Sequence, residues 1–161
     1  METFNLKHVL ESQQFDLDLL DTVFGVADAM RRDLANEKKY RRLLENRIMA
    51  ALFYEPSTRT RFSFESAMNR LGGSVITTEN AKEFSSAAKG ESLHDTTTIM
   101  NGYADVIVMR HNEAGSARMA AEVATIPVIN AGDGAGQHPT QALLDLYTLK
   151  DNLGRLDGLS V

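Results

Sequence analysis

Four short runs of β-branched and aliphatic residues recur along the chain, and segments with helical periodicity separate them. The runs are IMAALFY at 48–54, GSVITT at 73–78, DVIVMR at 105–110 and IPVINA at 126–131. Near-continuous apolarity is typical of strands that are buried on both faces of a parallel sheet. Parallel neighbours need a crossover connection, and a helix usually supplies it. The pattern therefore predicts an α/β fold with an open, mainly parallel four-stranded sheet and helices on both faces.

The segments between the runs carry helix signals. Ser92 and Asp95 have the form of a capping box that opens a helix. Pro139 is expected at the first position of the last helix, where its missing N–H costs nothing. Apolar stripes with helical spacing mark two earlier segments. The predicted helices cover 20–30, 64–71, 92–103, 114–124 and 139–153.

Composition narrows the class of protein. A chain of 161 residues is long enough for one domain that buries roughly 70% of its unfolded surface. The net charge of −5 disfavours nucleic acid as a partner, and the absence of cysteine excludes disulfides and thiolate chemistry. No apolar run reaches the 18 residues of a membrane span, and the first residues carry no signal-peptide pattern. We expect a soluble cytoplasmic protein with no membrane partner.

The stretch EPSTRTRFSFE crowds hydroxyl and guanidinium donors directly after the first strand. Ser57, Thr58, Arg59 and Thr60 would form the first turn of a helix. Free backbone N–H groups and the positive end of the helix dipole point outward there, and this arrangement suits a phosphate. Ligands of open α/β sheets bind beyond the carboxyl ends of the strands, where this stretch is expected.

An alternative to phosphate binding stays open at the level of sequence. In it, Ser57 serves merely as the cap of the helix, and the arginines are solvated. Arg59 and Arg61 are two positions apart, so they cannot face one ligand equally on a helix. One of the two arginines is expected to be structural.

HPTQ and Arg110 add further polar groups at the ends of strands. His138 and Gln141 lie on one side of the first turn of the last helix. Beside a helix N-terminus an imidazole resists protonation, so it can donate to a carbonyl oxygen as a neutral group. A purely structural arrangement, with His138 as the cap and Gln141 bonded back to it, is an equal alternative. Arg110 ends a buried strand and is expected to meet a carboxylate or an anionic ligand.

Several familiar motifs are excluded. NAGDGAGQHP lacks the spacing of a dinucleotide fingerprint, and AAKGES lacks that of a nucleotide-binding P-loop. No cluster of His, Asp and Glu has the spacing of metal ligands, and there is no nucleophile elbow. We therefore predict no metal and electrostatic catalysis without a covalent intermediate.

Four stretches are best considered together: FYEPSTRTRFSFESAMNRLGG, SSAAKGESLHDT, ADVIVMRH and VINAGDGAGQHPTQALLDLYT. In their order and spacing they closely resemble the amino-terminal, carbamoyl-phosphate-binding domain of aspartate carbamoyltransferases, over nearly the whole chain. STRTR and HPTQ are shared with ornithine carbamoyltransferases. FYEPSTRT, the lysine of SSAAKGE and NAGDG favour the aspartate enzymes.

The resemblance implies a role for each polar residue at the first turn. Ser57, Thr58, Arg59 and Thr60 would hold the phosphate of carbamoyl phosphate, and Arg110 would bridge its phosphate and carbonyl groups.

It also implies that Thr60 and His138 bind the carbonyl oxygen and that Gln141 binds the carbamoyl amide. Ser85 and Lys89 match a mobile loop that, in the trimeric family members, reaches the site of a neighbouring subunit. A homotrimer is expected on this resemblance.

The implied reaction is attack by the α-amino group of L-aspartate on the carbamoyl carbon, which gives N-carbamoyl-L-aspartate and phosphate for pyrimidine biosynthesis. Its catalytic residues would be Arg59, Thr60, Arg110 and His138. Residues 1–161 would form the carbamoyl-phosphate-binding domain, with the aspartate-binding domain cut off at its first strand. The chain alone should then bind carbamoyl phosphate or phosphate weakly, with negligible turnover. The resemblance also implies that the reaction requires no cofactor.

Two other functions remain possible from the sequence. The first is the corresponding half of an ornithine carbamoyltransferase. The second is a non-catalytic module that binds an anion or forms a trimer.

Overall fold

The computed structural model describes residues 6–35, 39–81 and 89–158 and contains the predicted sheet. Its strands are β1 Ile48–Phe53, β2 Ser74–Glu79, β3 Val106–His111 and β4 Val128–Asp133. All neighbours pair in parallel, in the order β2-β1-β3-β4. The predicted fold class is confirmed. The fourth strand starts two residues later than predicted, because Pro127 has no N–H for the ladder and regular pairing begins at Val128.

Among the residues that the structure describes, five helices have both ends defined, and they connect and cover the strands: α1 Leu17–Ala35, α2 Thr58–Arg70, α3 Leu93–Met100, α4 Ser116–Val123 and α5 Pro139–Leu153. Short 3-10 turns span Ser12–Gln14 and Lys39–Arg42. The last helix has the predicted bounds, with Pro139 at its start. The helix opened by Ser92 ends at Met100, earlier than predicted, because Asn101 turns its side chain to the backbone of Val123 and Thr125.

Alternate residues of the central strands face two separate cores. Met49, Ala51 and Phe53 pack on one face of the sheet with Met68 of α2. Ala50 and Leu52 face the opposite side, where the small residues of α4 allow a close approach. Helices on both faces thus bury β1 and β3.

The prediction of four buried strands is wrong for β2. This strand lies at the edge of the sheet, with β1 as its neighbour, and four of its six residues are exposed. Val75 packs into the core, whereas Ile76 on the other face is 40% exposed. An apolar run alone cannot distinguish an edge strand from a central one.

A β-bulge lies at the carboxyl end of the sheet. Met109 pairs with Asn130, but His111 pairs with Asp133, so Arg110 stands opposite two residues of β4. Bulges re-aim side chains and often lie beside functional sites. This bulge brings Gly132 against the side chain of Arg110.

No helix within the described ranges is long and apolar enough to span a bilayer.

Candidate functional site

A cavity of about 650 Å³ lies where α2 and α5 begin. It contains four of the predicted site residues and is lined by Arg59, Thr60, Ser63, Phe64, His138, Thr140, Gln141 and Leu144. A larger cleft of about 810 Å³ is lined by residues of α1, the second 3-10 turn and the end of α2. That cleft lacks the residues at the strand ends, so we take the smaller cavity as the candidate site.

The helix α2 begins in a way that leaves its first turn available to a ligand. Ser57 is the N-cap residue, but its side chain makes no capping hydrogen bond. Its carbonyl accepts from the N–H of Arg61 at 2.9 Å, which closes the first turn. The preceding N–H groups have no acceptor within the helix. The structure therefore gives no support to the alternative that the Ser57 hydroxyl serves as the cap.

Arg59 and Arg61 have different environments. The Arg61 guanidinium lies 2.9 Å from Glu79 and 3.8 Å from Glu65, and its side chain is only 15% exposed. Arg59 is exposed, lines the cavity and has no carboxylate within ion-pair distance among the described residues. Arg61 is thus the structural arginine, whereas the guanidinium of Arg59 is free of carboxylates within the described ranges.

The guanidinium of Arg110, the penultimate residue of β3, makes long hydrogen bonds. Its Nη1 donates to the carbonyl of Ala131 at 3.3 Å, and its Nη2 donates to Glu55 at 3.5 Å. Its buried Nε has no hydrogen-bond partner within the described ranges. A guanidinium with such long contacts keeps donor capacity for an anion.

Arg110 also lies close to His138, because Gly132 leaves room between them. A Cβ atom built on Gly132 would lie 2.9 Å from Nη1 of Arg110 and 3.3 Å from Cδ2 of His138. The φ angle of Gly132 is +117°, a value that side chains rarely allow. Glycine at this position thus allows Arg110 to lie beside His138, although Arg110 itself is not among the residues that line the cavity.

His138 is the N-cap of α5, as the structural alternative expected, but the Gln141 side chain does not bond back to it. Its Nδ1 accepts from the N–H of Gln141 at 3.3 Å, whereas the Gln141 side chain donates to Asp145 at 2.9 Å. Because Nδ1 accepts, the neutral ring carries its proton on Nε2. The cap therefore favours the tautomer whose Nε2–H has no acceptor in the described part of the chain.

The pKa of His138 is lowered from its ordinary value. Burial is the main cause, and the positive charge of Arg110 adds to it, while Asp133 and Asp145 act in the opposite direction. The imidazole is therefore neutral at pH 7. A neutral donor suits a carbonyl oxygen that gains negative charge during a reaction.

The remaining predicted residues lie away from the cavity lining. Ser57 and Thr58 belong to the same first turn but do not line the cavity. Lys89 is exposed and does not line it either. Ser85 lies outside the described residues. Within the described ranges, no group of three or more His, Asp or Glu residues could hold a metal ion.

Sequence reasoning missed three residues beside the site. Glu55 follows β1 and accepts from Arg110. Asn130 is buried and accepts from the N–H of Gly132, while its amide donates to Leu10 and Gln137. Asp133 is buried at the end of β4. The available signal is a polar residue in or just after an apolar run: Glu55 follows IMAALFY, and Asn130 and Asp133 lie in and after IPVINA.

The chain matches the family model described as "Aspartate/ornithine carbamoyltransferase, carbamoyl-P binding domain" over residues 7–151. A chloroplastic aspartate carbamoyltransferase of Arabidopsis thaliana is 58% identical over 161 residues, which are 100% of this chain and 41% of the relative. The aspartate carbamoyltransferase catalytic subunit of Methanocaldococcus jannaschii is 51% identical over 156 residues, 97% of this chain and 50% of the relative.

Solved structures give the same result. The catalytic subunit of M. jannaschii aspartate transcarbamoylase superposes with a TM-score of 0.87 at 51% identity, covering 96% of this chain and 50% of that one. Aspartate transcarbamoylase from Trypanosoma cruzi, in complex with carbamoyl phosphate and aspartate, gives 0.88 at 44% identity, covering 95% and 50%. The chain thus spans half or less of the length of these relatives. It belongs to the aspartate/ornithine carbamoyltransferase family, in which it matches the carbamoyl-phosphate-binding domain.

Proposed function

We propose that this chain is the carbamoyl-phosphate-binding half of an aspartate carbamoyltransferase. The complete enzyme would transfer the carbamoyl group to the α-amino group of L-aspartate, giving N-carbamoyl-L-aspartate and phosphate in pyrimidine biosynthesis. One observation carries the proposal: a single cavity at two helix N-termini gathers Arg59, Thr60, His138 and Gln141, with Arg110 beside it. The names of the relatives support aspartate over ornithine as the acceptor, since both are called aspartate carbamoyltransferase.

The phosphate group would lie on the first turn of α2. Ser57, Thr58 and Thr60 offer hydroxyl and backbone donors there, and Arg59 adds a guanidinium that no carboxylate among the described residues engages. Arg110 would reach both the phosphate and the carbonyl oxygen from the opposite side. Charge-assisted hydrogen bonds of this kind are worth roughly 1.5–3 kcal/mol each.

The carbamoyl group would lie towards α5. The Nε2–H of His138 and the hydroxyl of Thr60 would donate to the carbonyl oxygen, and the side chain of Gln141 would bind the amide. The His138 donor is oriented before the ligand arrives, because the N-cap hydrogen bond holds its ring.

The reaction would proceed through a tetrahedral intermediate. The amine nitrogen of L-aspartate forms a bond to the carbamoyl carbon, and the carbonyl oxygen gains negative charge. The bond to the phosphate oxygen then breaks, phosphate leaves with the electron pair, and the nitrogen releases a proton. Arg110, His138 and Thr60 would stabilise the oxyanion, and one such donor is typically worth about 10²–10³ in rate. No cofactor takes part.

Capture of L-aspartate would need residues outside these 161, in the second domain of the complete enzyme. We further propose a homotrimer in which Ser85 and Lys89 complete the site of a neighbouring subunit. Lys89 is exposed and does not line the cavity of its own chain, as expected of a residue that serves another subunit. The chain alone should then bind ligand weakly and show negligible turnover.

The cytoplasm is proposed as the compartment. The Arabidopsis relative is named chloroplastic, whereas the name of the Methanocaldococcus relative gives no compartment. Fractionation of cells that express the complete protein would test it.

The direct test is calorimetric titration of the purified chain with carbamoyl phosphate and, separately, with inorganic phosphate. We expect saturable binding of both, and Arg59→Ala should weaken it by about 10- to 150-fold, the equivalent of one charge-assisted bond. Arg41→Ala is the matched control, since Arg41 is exposed and lines the other cleft. An Arg59→Ala chain that binds as well as the unmutated one would contradict the assignment.

Mass measured in solution and an activity assay complete the test. A trimer that binds neither ligand would favour the non-catalytic module. Appreciable turnover by the purified chain would contradict the need for a second domain. L-Ornithine in place of L-aspartate, tested on a chain extended to the length of its relatives, should give no product.

A further inference from the structure

The loop 134–138, which joins β4 to α5 and carries His138, is held by one buried carboxylate. Asp133 is 5% exposed, and its Oδ1 accepts from the N–H of Gln137. The N–H of Asp133 in turn donates to the carbonyl of Gln137 at 3.2 Å, and the amide of Asn130 donates to the same carbonyl at 3.2 Å. Both polar backbone groups of Gln137 are therefore fixed, directly before His138.

The same carboxylate reaches the neighbouring loop. Its Oδ2 accepts from the N–H of Gly115, which precedes α4, at 2.9 Å. Beside it, the N–H of Gly134 donates to the carbonyl of His111 at 2.9 Å. Asp133 thus ties the loop after β4 to the loop after β3.

The loop has little room to adopt another path. A Cβ on Gly134 would lie 2.4 Å from the carbonyl oxygen of Asn112, and one on Gly136 would lie 2.5 Å from Oδ1 of Asp133. Both distances are shorter than real Cβ contacts. The backbone is packed directly onto the carboxylate, so the position of His138 depends on Asp133.

We propose that Asp133 is the positioning residue for His138. It does not line the cavity, and it acts by fixing the Gln137 backbone so that the imidazole faces the carbamoyl group. This inference rests on the proposed function, because it assigns His138 to the carbonyl oxygen of carbamoyl phosphate. Bound inorganic phosphate has no such oxygen, so its affinity should depend little on His138.

Asp133→Asn tests this role with little change in shape. An asparagine has one acceptor oxygen, and its NH₂ group would face a backbone N–H, so at least one of the two contacts is lost. We expect the affinity for carbamoyl phosphate to fall about 10-fold or more, and that for inorganic phosphate to change by less than about threefold. Partial unfolding lowers both apparent affinities by the same factor, so their ratio separates positioning from instability.

A double-mutant cycle then asks whether Asp133 acts through His138. In a His138→Ala background, Asp133→Asn should have no further effect on the affinity for carbamoyl phosphate. An undiminished effect there, or an equal loss of both ligands in the single variant, would overturn the proposal. Asp157→Asn, which removes the same charge from an exposed turn, should leave both affinities unchanged.

Amide hydrogen exchange of the unmutated, ligand-free chain gives a measurement that needs neither a stable variant nor binding. We expect slow exchange at Gln137 and Gly115, whose N–H groups donate to the carboxylate. Fast exchange at both would overturn the proposal that the Asp133 carboxylate holds the two loops. If the unmutated chain binds neither ligand but exchange is slow, the proposed function fails, whereas the role of Asp133 in holding the two loops is supported.

Discussion

Replacing Gly132 with alanine is the perturbation whose effect can be calculated most directly from the site. The added Cβ would lie 2.9 Å from Nη1 of Arg110, and ordinary contact begins at 3.4 Å, so the guanidinium must retreat by at least about 0.5 Å. The end of an arginine side chain can move at little cost to the fold. The displacement, however, moves the Arg110 guanidinium away from the position in which it would donate to the ligand.

The expected loss of affinity follows from that distance. Binding groups must lie within about 0.5 Å of their productive positions, and a displacement of 1 Å can cost about 100-fold. We therefore expect Gly132→Ala to weaken carbamoyl phosphate binding by about 10- to 100-fold in calorimetric titration. The backbone at φ +117° adds strain of about 1–3 kcal/mol, which urea unfolding would measure separately.

Gly154→Ala separates strain from displacement. Gly154 has φ +71°, but a Cβ there meets no atom within 4 Å, and the residue lies at the end of α5. This variant should lose stability and keep its affinity. The reasoning is refuted if Gly132→Ala binds like the unmutated chain, or if Gly154→Ala loses the same affinity.

Three further outcomes concern stability and can be measured by urea unfolding. Burial is the main cause that lowers the pKa values of His8 and His138, so the unfolded chain binds these protons more tightly than the folded chain. The free energy of unfolding should therefore be highest above the ordinary pKa of 6.5 and fall as the pH drops below it. The double variant His8→Asn with His138→Asn should flatten this dependence between about pH 7.5 and 5. Arg61→Ala should cost about 1–2 kcal/mol through its lost ion pairs, whereas Arg59→Ala should stay within about 0.5 kcal/mol; the reverse order would contradict their assignment. Phe53→Ala, at a fully buried position, should cost about 3–5 kcal/mol, and a loss below 1 kcal/mol would show that the core relaxes around it.

Local rules predicted the parts of the fold that neighbours in sequence decide. The apolar runs located all four strands, and Pro139 located the start of α5, because these signals depend on burial and on one missing N–H. The bulge opposite Arg110 was not predictable, since it arises from the pairing of two strands and has no signal in either strand alone.

The candidate site shows the same division. The spacing of Arg59 and Arg61 on a helix predicted that only one of them faces the ligand. The carboxylate that engages Arg61 belongs to Glu79, at the end of a different strand, so the spacing alone could not single out Arg59, which only the family resemblance named. The role of Asp133 likewise depends on Gly115 in another loop.

The exposed edge of β2 affects how the proposed mass measurements should be interpreted. Among the described residues no strand pairs with its outer side, so the N–H and C=O groups that point away from β1 could pair with another β2. Two copies joined edge to edge would extend the sheet across a two-fold axis and stop at a dimer. A ring of three subunits has no such axis between neighbours. A dimer that grows with protein concentration would therefore indicate edge pairing, and a trimer that persists on dilution would indicate the assembly in which neighbouring subunits share a site.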